Sequence, residues 1–307
     1  MKKRILSCLM ALALCLTLLP ATAQAAEEDT HTHCLCGKSG CTEADRVEIA
    51  FSKWLTSDRE QTSNSWRLDC GNVGDTTGNR VDSENGNGNW VLEDGRYYLR
   101  TGVENYTKYS EVKIDRTIVI RGDVTICLNG QTLESSAKDQ PVFLVEADST
   151  LTLTDCKGNM GKVKHTSDGS GSGVKVESGG TFNMYGGTIT GNTNRGVGVG
   201  QFGEFNMYGG KITGNSAGFG GGVYNGGTVN MYGGEVSDNT ASNKGGGVYM
   251  EASVGNYQGG ILNVSGAAKI TDNTVKGVAN NVYLPSGKTI AIGTGSLSGT
   301  IGVTTEP

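Results

Sequence analysis

Thr181-Phe-Asn-Met-Tyr-Gly-Gly-Thr-Ile-Thr-Gly-Asn192 is followed by two near copies of itself, Glu204-Phe-Asn-Met-Tyr-Gly-Gly-Lys-Ile-Thr-Gly-Asn215 and Thr228-Val-Asn-Met-Tyr-Gly-Gly-Glu-Val-Ser-Asp-Asn239. A looser fourth copy runs Ile261-Leu-Asn-Val-Ser-Gly-Ala-Ala-Lys-Ile-Thr-Asp-Asn273. Fainter copies extend the series both ways, at Val124-Thr-Ile-Cys-Leu128, Leu151-Thr-Leu153 and Thr289-Ile-Ala-Ile292. Taking Ile126, Leu151, Phe182, Phe205, Val229, Leu262 and Ile290 as equivalent gives spacings of 25, 31, 23, 24, 33 and 28 residues. A period near 24 with insertions is the signature of a stacked solenoid.

Within each copy the apolar residues alternate with polar ones. Phe182 and Met184 flank Asn183, and Ile189 lies between Thr188 and Thr190. That is the period of a strand, and Gly186-Gly187 supplies the corner between two strands. One such coil cannot bury its own apolar face. Stacked at ~4.8 Å per rung, equivalent strands pair in parallel, and the apolar positions become continuous inner columns. The handedness rule for parallel crossovers then predicts a right-handed superhelix. The expected fold is all-β: a right-handed parallel β-helix solenoid over residues 116–307, with an irregular N-terminal capping region over 43–115. Inside that cap, Thr42 to Asp45 followed by Val47, Phe51, Trp54 and Leu55 predicts a short helix, and Ser63 to Asn89 reads as a long loop.

The first 25 residues read as a signal peptide. Lys2-Lys3-Arg4 precedes an apolar run from Ile5 to Leu19, and Ala23-Gln24-Ala25 offers a small-x-small cleavage site. The run is too short for a membrane span, so a secreted or cell-surface protein without a transmembrane anchor after cleavage is expected. The whole chain carries a net charge of −5. Removing the three basic residues of the signal leaves 23 basic against 31 acidic side chains, or −8. A chain this acidic has no basic surface to hold phosphate backbones, so nucleic acid is excluded as a partner.

The units Ile212, Asn215, Gly220-Gly-Gly-Val-Tyr224 and Val236, Asn239, Gly245-Gly-Gly-Val-Tyr249 resemble the repeats of chlamydial polymorphic membrane proteins. They are more similar still to β-helix surface proteins of gut anaerobes, as are Tyr97-Tyr-Leu99, Cys127-Leu-Asn-Gly130 and Asn281-Val-Tyr-Leu-Pro285. The resemblance spans roughly residues 90–305 and implies an adhesin-like surface protein. The expected function is therefore non-catalytic binding of a carbohydrate or host surface ligand. A polysaccharide lyase or hydrolase of the β-helix fold, or a purely structural spacer, is the alternative. Asp238 and Asp272 are the one acidic pair placed to fall on neighbouring rungs, and His165 is the only histidine of the repeats.

If Phe182 and Met184 point inward, Asn183 and Tyr185 point outward, and the same holds for Asn206 with Tyr208 and Asn230 with Tyr232. Stacking makes a strip of three tyrosines beside three amides, a surface suited to sugar rings. Stacking that merely stiffens the sheet explains the same residues. The inner asparagines Asn192, Asn215, Asn239 and Asn273 read as a structural ladder.

The segment 26–42 is rich in Cys and His. His33, Cys34, Cys36 and Cys41, with His31 as the alternative to His33, offer three thiolates and an imidazole, a donor set for one structural zinc ion. A disulfide from this segment to Cys70 is the competing reading. Cys127 and Cys156, in strand-like runs, read as small buried hydrophobes.

Overall fold

Three short strands make up each turn of the coil. In the most regular turn they are Thr181–Met184, Thr188–Thr190 and Val197–Val199. The next turn repeats them as Glu204–Met207, Lys211–Thr213 and Val223–Asn225. The computed structural model describes residues 31–35, 48–59, 65–72, 79–81, 88–100 and 111–306. Residues 1–25, where a signal peptide is expected, and Cys36 and Cys41 lie outside these. The equivalent strands of successive turns pair in parallel and in register, Phe182 with Phe205 and Phe205 with Val229. They form three long sheets of 11, 8 and 9 strands. The chain is a parallel β-helix, and the described residues include no helix, let alone one long and apolar enough to cross a membrane.

Alternation along each strand sends every second side chain inward, where in-register stacking sorts them into columns. Phe182, Phe205 and Val229 form one column, Met184, Met207 and Met231 another, and Ile189, Ile212 and Val236 a third, all fully buried. Each such side chain contributes roughly 1.5–3 kcal/mol by leaving water, and the Phe182 and Phe205 rings also stack at 5.0 Å. One equivalence differs from the repeat reading. Leu151 pairs with Val124, not Ile126, which pairs with Leu153. Both Val124 and Ile126 point inward, and a two-residue slip keeps the same face, so the apolar pattern alone does not choose between them.

The corners are set by backbone conformation. In each Tyr-Gly-Gly turn the second glycine, Gly187, Gly210 or Gly234, sits at φ +85°, +82° or +78°. At the next corner Gly191 and Gly214 (φ +66° each) are replaced in later rungs by Asp238 and Asp272 (φ +56° and +59°). Aspartate is among the few residues that tolerate this left-handed region. The acidic pair therefore occupies a turn position, and both side chains are exposed.

Just past that corner the asparagine ladder runs inside the coil. Each backbone N and Nδ2 donates to the Oδ1 of the next rung: Asn192 to Asn215 (3.1 and 2.9 Å), Asn215 to Asn239 (3.0 and 3.0 Å), Asn239 to Asn273 (3.0 and 3.0 Å). Asn281 ends the series, accepting from Asn273 at 2.8 and 3.0 Å. His165 starts it, with Nδ1 2.8 Å from Asn192 Oδ1 and Nε2 3.1 Å from the Gln140 carbonyl. Both partners are acceptors and favour the imidazolium. Burial opposes it more strongly and lowers the His165 pKa below its ordinary value.

The N-terminal region departs from the expected helix and loop. It consists of β1 (His31–Cys34), β2 (Glu48–Phe51), β3 (Lys53–Arg59), β4 (Trp66–Asn72) and β5 (Asn79–Arg80). β1 pairs with β2, and β3 with β4, in antiparallel fashion. The parallel coil begins with β6 (Trp90–Leu92), β7 (Gly95–Leu99) and β8 (Glu111–Ile114), ahead of residue 116, where no repeated motif marks it. β3 pairs in parallel with β7 and so extends the first sheet. Leu55 points into the main core, while Trp54, on the opposite face, joins Phe51, Tyr98 and Cys127 in a small second core. Thr42 to Val47 of the expected helix lie outside the described residues, and its other apolar positions fall on two strands, Phe51 on β2 and Trp54 and Leu55 on opposite faces of β3, because sheet pairing outweighs a weak local period.

Candidate functional site

On the outer face of the first sheet the Tyr185, Tyr208 and Tyr232 rings stack at 4.4 and 5.0 Å, nearly parallel. Burial and the two flanking tyrosines push the Tyr208 hydroxyl up to about 12. Beside them runs an outer amide ladder. Asn206 Nδ2 donates to Asn183 Oδ1 (3.0 Å), Asn230 to Asn206 (2.8 Å) and Asn263 to Asn230 (2.7 Å). The strip is thus assembled as the sequence suggested, but its groups are turned on one another. Ring faces meet ring faces and amides meet amides, leaving mainly ring edges and hydroxyls toward solvent.

A concave feature lies on the third sheet. Its outward column carries Tyr224, Tyr249 and Tyr283, in register, but Gly198 stands where the preceding rung would place a tyrosine. The missing side chain leaves a groove of about 690 Å³, lined by Lys175, Glu177, Ser178, Arg195, Gly198 and Tyr224 among others. Arg195 crosses the notch with its guanidinium 4.6 Å from the Tyr224 ring centre. Its backbone has φ +116°, a strained value for a residue with a side chain. The guanidinium donates to the Asn194 carbonyl (2.5 Å) and to Asn194 Oδ1 (3.1 Å). Among the described residues no carboxylate pairs with it, and the nearby Glu177 instead contacts Lys175 (3.5 Å). Burial, with Glu251 next, raises the Tyr224 hydroxyl to about 12. The repeat reading missed this site. Its signal is Val197-Gly-Val199 standing where the following repeats read Val223-Tyr-Asn225 and Val248-Tyr-Met250.

The second core holds a cluster of potential ligands. The Cys127 side chain points out from its strand but is covered by the β1–β2 hairpin and is fully buried. His31 stacks on Tyr98 (4.4 Å) and His33 on Phe51 (4.6 Å), which brings their Nε2 atoms to 3.2 Å. Cys156 Sγ lies 3.8 Å from His31 Nε2. The Cys127 thiol, together with both imidazoles and against the effect of burial, holds Cys156 down at about 5, while burial pushes the Cys127 thiol up. Of the residues expected to bind zinc, His31 and His33 are here. The Cys34 backbone pairs with Glu48 in the hairpin, and Cys36 and Cys41 lie outside the described residues. Cys127 and Cys156 are not isolated apolar fillers but neighbours of the two histidines. Compared with protein-family models, curated proteins and solved structures, the chain matches none.

Proposed function

We propose that the protein is an exported, non-catalytic β-helix that binds acidic polysaccharide on the side of its rod, at the Gly198 notch. Arg195 carries this reading: a half-buried guanidinium without a carboxylate partner among the described residues, laid over an aromatic ring in an open groove. A carboxylate or sulfate of the glycan would pair with Arg195 and Lys175, and a sugar face would rest on the apolar wall. Support for export comes from the residues 1–25 and from the likeness to surface repeat proteins. The groove's volume falls within the range of small-ligand sites. Its acid, Glu177, is already engaged with Lys175, and Asp238 and Asp272 serve as turn residues, which weighs against a hydrolytic pair.

The test is binding of the purified protein to polygalacturonate, alginate and heparin by affinity electrophoresis. Binding to at least one polymer is expected. Arg195→Ala should weaken it about tenfold or more, as expected for loss of a charge-assisted hydrogen bond. The Tyr185/Tyr208/Tyr232→Ala triple variant should bind like wild type if folded. No binding to any polymer, or binding indifferent to Arg195→Ala, ends this reading in favour of a spacer. Release of unsaturated or reducing ends on incubation would favour the lyase or hydrolase alternative.

A further inference from the structure

His31, His33, Cys127 and Cys156 come from two distant parts of the chain, yet one donor atom from each lies within 4.8 Å of all the others. A tetrahedral zinc ion, with bonds of ~2.0 Å to nitrogen and ~2.3 Å to sulfur, spaces its donors roughly 3.3–3.8 Å apart. The two pairs at 3.2 Å (His31 and His33 Nε2) and 3.8 Å (Cys156 Sγ and His31 Nε2) already stand at such spacings. The surroundings hold the donors in place. Both imidazoles are pinned by aromatic stacking on Tyr98 and Phe51. The Asn129 backbone N–H donates to Cys127 Sγ (3.3 Å), the kind of outer contact that steadies a ligating sulfur. Thr154, in the strand ending just before Cys156, donates its hydroxyl to the Leu35 carbonyl and ties β1 to that rung.

We propose that these four residues bind one structural zinc ion, which fastens the N-terminal hairpin to the outer face of the first sheet. Charge favours a divalent ion over Cu⁺, and a tetrahedral shell of nitrogen and sulfur suits zinc among the divalent ions. Two thiolates and two neutral imidazoles around Zn²⁺ leave no net charge, which a largely buried site requires, whereas Cu⁺ in the same shell leaves an uncompensated negative charge. The closed shell has no open position, so the metal's role is to hold structure. This inference is independent of the glycan site, which lies on another sheet.

Zinc content of the purified protein, after loading and removal of excess metal, should be about one per chain. Cobalt in its place should give the visible bands of a tetrahedral site together with a thiolate-to-cobalt band. Cys127→Ser and Cys156→Ser should each lose the zinc, while the Cys34/Cys36/Cys41→Ser triple variant should retain it. In the unaltered protein, zinc should slow alkylation of Cys156 and a chelator should restore it, a readout that needs no variant to fold. Zinc retained by the Cys127 and Cys156 variants, or lost from the triple variant, overturns the assignment. So does a Cys127–Cys156 disulfide mapped in protein prepared without reductant.

Discussion

The outer face of the first sheet is two surfaces. At its N-terminal end Tyr98 and Cys127 face outward beneath a hairpin that buries them with Phe51 and Trp54. Further along, Tyr185, Tyr208 and Tyr232 face outward and stack on one another, Tyr208 and Tyr232 being exposed. The backbone ladder beneath is the same in both places, and the registers run on unbroken. What differs is where the covering comes from. The bare end is stabilised by identical side chains one rung away, and the covered end by residues up to 125 positions distant. Repetition supplies local, self-similar contacts, and the cap supplies unique ones.

If that division is physical, the covered end should fail separately. Trp54→Ala removes a fully buried indole and should cost about 3–5 kcal/mol. Hydrogen exchange should then show protection lost in β2, β3, β4 and β7 while 174–284 stay protected. Uniform loss would mean that the cap and the rungs unfold as one unit. A smaller effect sharpens the comparison within the repeats. Asn215→Ala strands the Asn192 backbone N–H inside the coil, at about 1–3 kcal/mol for that buried group, and frees the Ile189 carbonyl, while Asn192 Nδ2 keeps its bond to the Thr190 carbonyl (3.1 Å). Asn206→Ala, in the outer ladder, strands no backbone donor and leaves Asn230 Nδ2 its bond to Glu204 (3.1 Å), so it should cost about 1 kcal/mol or less in denaturant unfolding. Equal costs would place the two ladders in the same environment and break the distinction between inside and outside.

The smallest effect concerns His165 at the head of the inner ladder. Its pKa is lowered in the folded state by burial, so between that value and the ordinary 6.5 the unfolded chain binds a proton that the folded chain refuses. Stability should therefore fall as the pH drops below about 6.5. In His165→Asn that part of the acid slope should vanish. The readout is the difference between the two unfolding profiles, since carboxylates contribute to both. An unchanged slope would mean that the imidazole is not the titrating group.

The repeats made the coil, its parallel pairing and its inner columns legible, because a copied motif states its own neighbours. Phe205 beside Val229 follows directly from alignment. Period two also explains the one slip, Ile126 for Val124, since both satisfy the same face. The cap was not legible for the opposite reason. Trp54 and Leu55 are both buried because each face of β3 is covered, and nothing local in the sequence announces the hairpin that covers one of them. Likewise His31 and His33 announced metal chemistry, but the sulfurs beside them belong to rungs that read as ordinary core. The Arg195 notch lay between these cases. It was written as a single glycine breaking a column, and is visible only once the column itself is recognised.

The inner asparagine column runs one way, each oxygen accepting from the rung before and each nitrogen donating to the rung after. Deleting residues 204–227 would set Asn192 against Asn239, with every donor still meeting an oxygen. Deleting half as many would leave the amides facing the wrong neighbours. Extra residues within a turn, such as the nine that lengthen the step from Val229 to Leu262, leave the ladder intact, so the rod itself lengthens only when a whole turn is gained. Length in this molecule is counted in turns.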